Sequence, residues 1–398
     1  MGPPLSPMFP VILFIASAAI VLYTIAVYPA LLAIGFRRGA PSIGKNLSHR
    51  PSVSAIVAVH NGAAHIAAKL ESLLALDYPR ELISVIVVSD GSGDNTEDIV
   101  RQWESRGVTL LSVPRGGKVA ALNEALPHAH GEIIFFTDVR QPLDSQALRH
   151  LVANFADETV GAVTGELRLL RGEDGHQADM ELYWRYEVWV RKQHSRIDSL
   201  FNTTGCIYAI RRDLAAAMPA DTLTDDAVMP LRAFFRGYRV ILDPEAVAFD
   251  YPANAGAEFR RRFRTLAGLW QVYTRMPQLF TGANRMRFHF LSHKFSRLVL
   301  PWALLTAVAA TLALPGSFFR TCLLAAETTL PALALLDRVV PPGFPLKRMT
   351  SPARTFIVMN AAALASVVVF FVPATRLWIP TGAPTRPTAV RAEQDRVR

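Results

Sequence analysis

The chain has 398 residues, of which 51% are apolar and 19% are charged, and its net charge at pH 7 is +9. This length allows one large domain or two ordinary ones. The apolar share is too high for a purely soluble enzyme, so we expect membrane spans beside a normal soluble domain. The basic excess suits anionic headgroups or phosphate-bearing substrates. Nucleic acid is not an expected partner, because the chain has no basic recognition helix and no aromatic stacking motif.

Cysteine usage points to a reducing compartment. Only two cysteines, Cys206 and Cys322, are present in the sequence. Two cysteines at this spacing predict neither a disulfide framework nor a zinc site. The low count fits a soluble domain that is kept under reducing conditions.

The first segment able to cross a membrane runs from Phe9 to Phe36, and no charged residue precedes Arg37. A transmembrane helix needs about 20 apolar residues, so this segment is long enough. A signal peptide is disfavoured, because the residues before it carry no Lys or Arg and the apolar run is too long. Basic residues follow at once, which predicts an outside N-terminus and a cytoplasmic domain after the span. We assign residues 1–48 to this anchor and its basic flank.

Residues 49–277 are predicted to form one α/β domain. Short apolar strands alternate with helical patterns along this region. Such alternation implies right-handed crossovers and a mostly parallel sheet. The predicted strands are SAIVAVH, SVIVVSD, VTLLSV and EIIFFTD, and the helices between them are AAHIAAKLESLLAL, TEDIVRQWESRG and KVAALNEALPHA.

Residues 278–398 are predicted to hold an interfacial helix, a C-terminal transmembrane region and a basic tail. Three apolar stretches, at 301–314, 322–336 and 356–372, are candidate spans. Glu327, inside the second, either faces the bundle interior or marks a shorter, broken segment. The preceding RMRFHFLSHKFSRLVL is either an interfacial helix or an ordinary amphipathic helix of the soluble domain. The last loop and the tail are both basic, so the C-terminal topology stays open, with one re-entrant segment as the alternative.

Two aspartates stand where an apolar strand gives way to a polar loop. VIVVSDGSGDNT places Asp90 at the end of one strand, and EIIFFTDVRQ places Asp138 after another. In open parallel sheets, ligands bind in the crevice outside the carboxyl ends of the strands. The two aspartates therefore predict a nucleotide and metal site.

Seven segments occur in an order that resembles a known family. They are SAIVAVHNGA, VVSDGSGDNT, GGKVAALNEAL, FFTDVRQ, TGCIYAIRRDL, TDDAVMPLRAFFRGYRV and EFRRRFRTLAGLWQ. The set resembles the membrane-bound, processive-type family 2 glycosyltransferases, the group of cellulose, hyaluronan and poly-N-acetylglucosamine synthases. The resemblance implies a GT-A fold, with a Rossmann-like nucleotide-binding sheet, in a multi-pass enzyme of the bacterial plasma (inner) membrane.

Asp90 and Lys118 are expected to contact the nucleotide. A carboxylate at a strand end can accept hydrogen bonds from a nucleobase or a ribose, and the resemblance implies this role for Asp90. The alternative is an Asx-turn within its own loop, while Asp94 is expected to cap the next helix. Gly116 and Gly117 precede Lys118 at a predicted helix start, a setting that favours anions. The resemblance implies that Lys118 contacts the diphosphate; the alternative is a solvated lysine.

Asp138 is expected to bind a divalent ion. The resembled family usually carries Asp-x-Asp here, and oxygen ligands suit Mg²⁺ or Mn²⁺, but this chain has Asp138-Val139-Arg140. Three alternatives follow: Asp138 holds the metal with phosphates and water, Arg140 neutralises phosphate and reduces the need for metal, or Arg140 pairs with Asp138 and impairs the site. We favour the first and count Arg140 among the nucleotide-sugar-binding residues.

Thr224-Asp225-Asp226 opens a helical stretch. Threonine and aspartate are preferred at helix N-termini, so one interpretation is purely structural. Transfer of a sugar to a hydroxyl also needs a carboxylate that takes the proton. The resemblance implies that Asp226 is this base, with Asp225 beside it as a second catalytic carboxylate.

A basic run extends from Arg260 to Arg264. It is either a solvated or headgroup-facing surface or the counterpart of the family's Gln-x-x-Arg-Trp motif, which stabilises the leaving diphosphate. Arg264 matches the arginine of that motif, while Arg261 and Thr265 replace its glutamine and tryptophan. Arg261 and Arg264 are predicted to bind the nucleotide-sugar, and Trp270 is a candidate substitute for the missing tryptophan.

We therefore expect an inverting glycosyltransferase that moves a sugar from a nucleotide-sugar, with UDP-sugars expected first. The acceptor is a glycan or a lipid at the cytoplasmic face, in envelope or exopolysaccharide synthesis. Membrane lipids are further partners, and a self-contained export channel would need an oligomer or a partner subunit. The altered arginine motif favours single addition over polymer synthesis. The alternative is a catalytically weak scaffold subunit, motivated by the lost second aspartate of Asp-x-Asp.

Overall fold

The chain divides into two compact units. The computed structural model describes residues 8–34, 42–170, 177–250, 255–341 and 343–377. The first unit, here called the sheet unit, comprises the described parts of Gly39–Gly172 and Arg191–Ala253. The second, called the helical unit, comprises the described parts of Met1–Arg38, Glu173–Val190 and Asn254–Thr381. The domain boundaries expected at 48/49 and 277/278 stay a prediction.

Seven strands form one sheet in the sheet unit. They are β1 (Val53–Val59), β2 (Ile83–Asp90), β3 (Val108–Val113), β4 (Ile133–Phe136), β5 (Val160–Leu169), β6 (Tyr208–Arg211) and β7 (Arg239–Asp250). Their order is β3-β2-β1-β4-β6-β5-β7. Only β6 runs antiparallel to its neighbours, β4 and β5, and the other pairs are parallel. The predicted α/β fold with a mostly parallel sheet is confirmed.

Fourteen α-helices are present in the described residues, numbered here in chain order. Those of the first half are α1 (Met8–Leu22), α2 (Tyr28–Ile34), α3 (Ile66–Leu74), α4 (Thr96–Arg101), α5 (Lys118–Ala125), α6 (Ala147–Ala153) and α7 (Gln177–Ile197). Those of the second half are α8 (Asp225–Phe235), α9 (Ala255–Arg275), α10 (Arg287–His289), α11 (Ser296–Ala313), α12 (Phe318–Leu336), α13 (Lys347–Ala365) and α14 (Ala374–Leu377). Two π-helical segments, Tyr23–Val27 and Phe290–Phe295, join α1 to α2 and α10 to α11.

The middle of the sheet creates the crevice where a ligand is expected. Strand β4 is buried along its whole length and β1 along almost all of it, as continuous apolar sequence in a parallel sheet requires. The chain leaves β1 for β2 and β3 on one side and then returns to place β4 on the other. Ile56 of β1 pairs with Phe136 of β4, and the next residue, Thr137, donates its N–H to the Ile56 carbonyl. Asp138 therefore emerges at a topological switch point, the usual place for ligands in such sheets.

Four helices of the described chain are long and apolar enough to cross a membrane, judged by length and composition. They run over Met8–Ile34, Arg287–Ala313, Phe318–Leu336 and Lys347–Phe370. These match the four spans expected from the sequence, except that the second begins about four turns and the fourth about two and a half turns before the predicted apolar stretch. The end of the first predicted span, residues 35–36, and the basic tail from residue 378 lie outside the described residues. The four helices indicate membrane association.

The segment RMRFHFLSHKFSRLVL continues into α11 and packs inside the helical unit. Its Ser292 and His293 side chains are buried. The Tyr23 hydroxyl lies 2.6 Å from Ser292 Oγ, and the Tyr28 hydroxyl lies 3.1 Å from His289 Nδ1. The segment is therefore part of the helical unit, not an amphipathic helix of the sheet unit. Its depth in the membrane stays a prediction.

Helix α12 is continuous through Glu327. The Thr311 hydroxyl of α11 donates a hydrogen bond of 2.9 Å to Glu327 Oε1. This contact turns the carboxylate towards the neighbouring helix, where a partner offsets part of the cost of a charge among apolar side chains. Of the two interpretations of this glutamate, the one with an inward-facing side chain in an unbroken helix is correct.

Candidate active site

The Asp90 carboxylate organises the loop before α5. Asp90 is 2% exposed at the end of β2. Its Oδ1 accepts the Gly116 N–H at 2.6 Å, both of its oxygens lie 3.0 Å from the Gly117 N–H, and the Arg115 guanidinium pairs with Oδ2. These partners lie in the Arg115–Gly117 loop, so the Asx-turn alternative is wrong. The predicted role of Asp90 is contact with a base or a ribose. In that role its oxygens would have to accept hydrogen bonds from the ligand in addition to those from Arg115, Gly116 and Gly117.

Two glycines allow this loop to approach Asp90. Gly117 has a φ of +90°, a left-handed conformation that favours glycine. Gly91 has a φ of +60°, and a Cβ added there would lie 2.8 Å from the Arg115 backbone nitrogen. A side chain at Gly91 would therefore push away the loop that holds Lys118.

The sequence predicted Asp94 as the N-cap of α4, but Asn95 holds that position. Asn95 precedes the first helical residue, Thr96, and makes no side-chain capping bond. Asp94 instead accepts the Thr96 N–H at 3.1 Å and the Ala63 N–H at 3.0 Å. The carboxylate therefore joins the start of α4 to the loop after β1.

Lys118 links two of the predicted carboxylates. It is the first residue of α5, as expected, and its Nζ lies 2.9 Å from Asp138 Oδ1 and 3.3 Å from Asp225 Oδ2. Burial by itself would lower the pKa of Lys118, but the carboxylates of Asp138 and Asp225 raise it above its ordinary value. The side chain is thus a fixed cation between the ends of β4 and α8. The alternative of a solvated surface lysine is wrong.

Asp225 and Asp226 form the first turn of α8. Thr224 occupies the N-cap position but makes no side-chain capping bond. Asp225 is 6% exposed and lies 3.5 Å from the donating Tyr208 hydroxyl, whose ring stacks on Phe136. Burial and the neighbouring Asp225 raise the pKa of Tyr208 well above its ordinary value, so its proton stays available as a donor.

Asp226 is half-buried next to Asp225 in the first turn of α8. Burial, followed by the negative charge of Asp225, raises the pKa of Asp226 to about 7, while Lys118 acts in the opposite direction. A carboxylate with this pKa is half protonated near neutral pH. It can therefore take a proton from a hydroxyl more readily than an ordinary aspartate.

Arg140 does not pair with Asp138 in the structure. Its Nη2 lies 2.6 Å from Asp250 Oδ2 at the end of β7, and the same oxygen accepts a hydrogen bond of 2.8 Å from Gln141 Nε2. Asp250 is 6% exposed, so the arginine compensates a buried charge. The third alternative considered for Arg140, neutralisation of Asp138, is therefore wrong.

The donor set around Asp138 fits a divalent ion. The Asp138 side chain is 37% exposed, and its described ion pair is with Lys118. Carboxylate oxygens are the ligands that Mg²⁺ and Mn²⁺ prefer, and Mg²⁺ commonly takes one or two protein carboxylates together with substrate phosphates. Asp138 can fill this position because Arg140 is turned towards Asp250.

A second acidic group, His150 with Asp243 and Glu245, also has metal-like spacing. The Lys45 ammonium already lies among its ligand atoms, 2.8 Å from Asp243 Oδ2 and 3.2 Å from His150 Nδ1. This lysine supplies the positive charge that the group requires, so the cluster is a structural ion network.

A buried lysine behind Asp138 was not expected from the sequence. Lys69 of α3 is 1% exposed and donates to Thr137 Oγ1 at 2.6 Å and to the Gln141 carbonyl at 2.7 Å. Burial lowers the pKa of Lys69 to about 7. The available signal was its position, since Lys69 shares the apolar helix face of Ile66, Leu70 and Leu73, where a lysine is unusual.

Arg115 and Tyr208 were also missed. Arg115 directly precedes the glycine pair, and Tyr208 lies within the quoted TGCIYAIRRDL segment. No sequence motif assigns a role to either residue. Arg115 contacts Asp90 and Tyr208 contacts Asp225 only in the folded protein.

The remaining predicted residues lie on α9 in the helical unit. Arg264 is half-buried, as is Arg261, whose carbonyl accepts a hydrogen bond from Thr265. The Trp270 indole N–H lies 3.1 Å from Ser366 Oγ, and its ring packs on Phe370. Trp270 is therefore engaged in packing within the helical unit, which argues against it as the substitute for the missing motif tryptophan.

Residues 54–218 match the family model described as glycosyl transferase family 2. The chain contains a family 2 glycosyltransferase domain. The match covers β1 to β6 and includes Asp90, Lys118 and Asp138. The GT-A fold and the transferase activity expected from the sequence are confirmed at this level.

Two relatives and one solved structure show the range of similar proteins. The beta-monoglucosyldiacylglycerol synthase of Trichormus variabilis is 29% identical over 237 residues, 56% of this chain and 50% of the relative. The poly-beta-1,6-N-acetyl-D-glucosamine synthase of Staphylococcus aureus is 22% identical over 262 residues, 64% of this chain and 63% of the relative. The chain thus spans about half to just under two thirds of these curated relatives.

The solved structure is the mannosyltransferase PcManGT of Pyrobaculum calidifontis in complex with GDP-Man and Mn²⁺. It superposes with a TM-score of 0.71 at 27% identity and covers 91% of this chain and 97% of its own. The structural similarity to this mannosyltransferase therefore extends beyond residues 54–218 to most of the chain.

Proposed function

We propose that this glycosyltransferase transfers a sugar with inversion from a nucleotide-sugar to the hydroxyl of a glycan or lipid acceptor. The observation that carries the proposal is the convergence of Asp138, Asp225 and Lys118 at the ends of β4 and α8, with Asp226 next to Asp225. A carboxylate base and a cation-binding carboxylate are the two groups that such a transfer requires.

Asp226 is the general base of the proposed reaction. Its raised pKa of about 7 matches the task of taking a proton from a sugar or lipid hydroxyl near neutral pH. The deprotonated hydroxyl attacks the anomeric carbon from the face opposite the nucleotide, which inverts the configuration. Asp225 keeps Asp226 basic through its charge and holds Lys118.

Asp138 and Lys118 serve the leaving nucleoside diphosphate. A divalent ion, when held by Asp138, would neutralise the charge that develops on the diphosphate. Lys118 stands at the first turn of α5 and adds a cation on the same side. Asp90 shapes the loop before Lys118, and we assign Arg261 and Arg264 to the diphosphate as a proposal from the resemblance alone.

The donor, the acceptor and the cellular location are the finer parts of the proposal. A nucleotide-sugar donor is supported by the similarity to a structure that contains GDP-Man, and both UDP- and GDP-sugars are candidates. A lipid or glycan acceptor is supported by relatives named for a glycolipid and a polysaccharide. The four apolar helices support a multi-pass protein of the inner membrane, with the sheet unit in the cytoplasm.

The test measures release of nucleoside diphosphate by detergent-purified protein. The substrates are UDP-glucose, UDP-N-acetylglucosamine and GDP-mannose, each with membrane lipid extract and with Mg²⁺, Mn²⁺ or chelator. Release from one donor is expected, with loss of about 10²–10⁴-fold in Asp226→Asn, the usual contribution of a general base.

The matched control variant is Asp77→Asn, the same substitution at an exposed aspartate of the sheet unit, whose partner is Arg149. Wild-type turnover in that variant excludes a general effect of replacing an aspartate by asparagine. A purified, folded protein that binds none of these donors would instead favour the scaffold function.

A further inference from the structure

The two hydrogen bonds of Lys69 grip the segment that carries Asp138. Its acceptors, Thr137 Oγ1 and the Gln141 carbonyl, lie one residue before and three residues after that aspartate. Burying an ammonium to 1% exposure is unfavourable unless hydrogen bonds compensate the loss of water. Core packing alone would be served as well by methionine, so the two bonds call for a separate explanation.

Thr137 passes this constraint to a second loop. Its hydroxyl accepts from Lys69 and donates to the Cys206 carbonyl at 2.8 Å. The loop that ends at Cys206 begins at Thr203, whose N–H and hydroxyl donate to the Asp226 carbonyl at 2.7 and 2.9 Å. Short hydrogen bonds and one stretch of four residues therefore connect Lys69 to the backbone of Asp226.

We propose that Lys69 is a positioning residue that holds Asp138 and Asp226 at a fixed separation through Thr137 and the loop 203–206. The catalytic meaning of this separation rests on the function proposed above, but the mechanical link does not. Lys69 is buried behind the site, so it acts through Thr137 and not on the substrate. A donor held at Asp138 and a hydroxyl held at Asp226 must meet in line, and an error of about 1 Å can cost about 100-fold in rate.

The first experiment measures amide hydrogen exchange of the full chain in detergent, without any ligand. Lys69→Met and Thr137→Val should each increase exchange in segments 137–141 and 203–206. Thr137→Ser keeps the hydroxyl and should exchange like the wild type. Lys45→Met should leave both segments unchanged, because its partners are Asp243 and Glu245.

Unchanged exchange at 203–206 in a folded Lys69→Met protein would overturn the proposal. An increase spread equally over β1 and β2 would also overturn it, since that result describes a general loss of core stability. If Lys69→Met does not fold, the contrast between Thr137→Val and Thr137→Ser decides, because both report on the same hydroxyl.

The second experiment asks whether the link serves turnover. The donor is whichever of UDP-glucose, UDP-N-acetylglucosamine and GDP-mannose the wild type turns over with Mn²⁺. With it, Lys69→Met and Thr137→Val should each lower kcat by about 10–100-fold, the range seen for groups that orient metal-ligating residues. The apparent KM for the membrane lipid extract should change by less than about threefold, because Lys69 and Thr137 are proposed to position the site and not to bind the acceptor. The double variant should be no slower than the slower single variant, because both changes break one path.

Additive losses in the double variant, or a slow Thr137→Ser, would contradict a shared path. Inactivity of the wild type towards every donor would count against the proposed function only. The exchange measurement would still decide whether Lys69 links the two loops.

Discussion

Asp90 and Asp138 follow the same sequence pattern, yet the fold gives them different surroundings. Asp90 is the last residue of β2 and Asp138 closely follows β4, and these two strands flank β1. Asp90 is 2% exposed and its oxygens are taken by two backbone N–H groups and Arg115, whereas the Asp138 side chain is 37% exposed and pairs with one lysine. A carboxylate that is saturated by its own chain shapes a loop, while one with free lone pairs can take a ligand.

The difference follows from the loops that pass each strand end. The glycine-containing segment Arg115–Gly117 folds over Asp90 and satisfies it from the backbone. The corresponding cation near Asp138, Arg140, is drawn away by the buried Asp250.

Asp138→Asn should have the largest effect on metal-dependent turnover. Removing the charge of the proposed metal ligand should raise the Mn²⁺ concentration needed for half-maximal rate by more than about 100-fold, beyond the range for groups that only orient ligands. The measurement is initial rate against Mn²⁺ concentration at saturating donor. A normal Mn²⁺ response in this variant would show that Asp138 is not the metal ligand.

Asp90→Asn should act on the loop and on stability instead. The amide cannot accept the same set of N–H donors, and a buried group left unsatisfied costs about 1–3 kcal/mol. We expect a lower thermal unfolding midpoint and a higher donor KM, with the Mn²⁺ concentration dependence unchanged. A shift in the metal response equal to that of Asp138→Asn would remove the contrast between the two residues.

The pH profile should report the environment of Asp226. Since its pKa is raised to about 7, the base form is lost below that value, and kcat should rise as the pH increases through neutrality. Asp225→Asn removes a nearby negative charge and should move the midpoint to lower pH, whereas Lys118→Met removes a cation and should move it to higher pH. Equal midpoints in the three proteins would assign the titration to another group.

Arg140→Met should have the smallest effect on turnover, within about threefold. The arginine neutralises Asp250, so its loss leaves a buried carboxylate without its ion pair and should lower the unfolding free energy by about 1–3 kcal/mol. The effect on turnover is measured as initial rate against donor concentration, and the effect on stability is measured separately by thermal unfolding. A large increase in donor KM at unchanged stability would support the predicted role of Arg140 in nucleotide-sugar binding.

The sequence by itself determined the elements and the class of the protein. The apolar strands before Asp90 and Asp138 are continuous because a parallel sheet buries both faces, and that pattern is readable without a structure. The start of α5 at Lys118 and of α8 at Asp225 follows from local glycine and aspartate preferences. The four apolar spans are likewise a property of length and composition.

Only the tertiary structure decided which charges meet. Lys118 reaches Asp138 and Asp225 because α5, β4 and α8 converge, and Arg140 turns to Asp250 because β7 ends nearby. These partners are separated by 20 to 110 positions, and no local periodicity encodes a contact at that range. The hydrogen bonds of Lys69 were likewise decided by the tertiary structure. A helical pattern predicts which helix face carries Lys69, but not that Thr137 and Gln141 supply its acceptors.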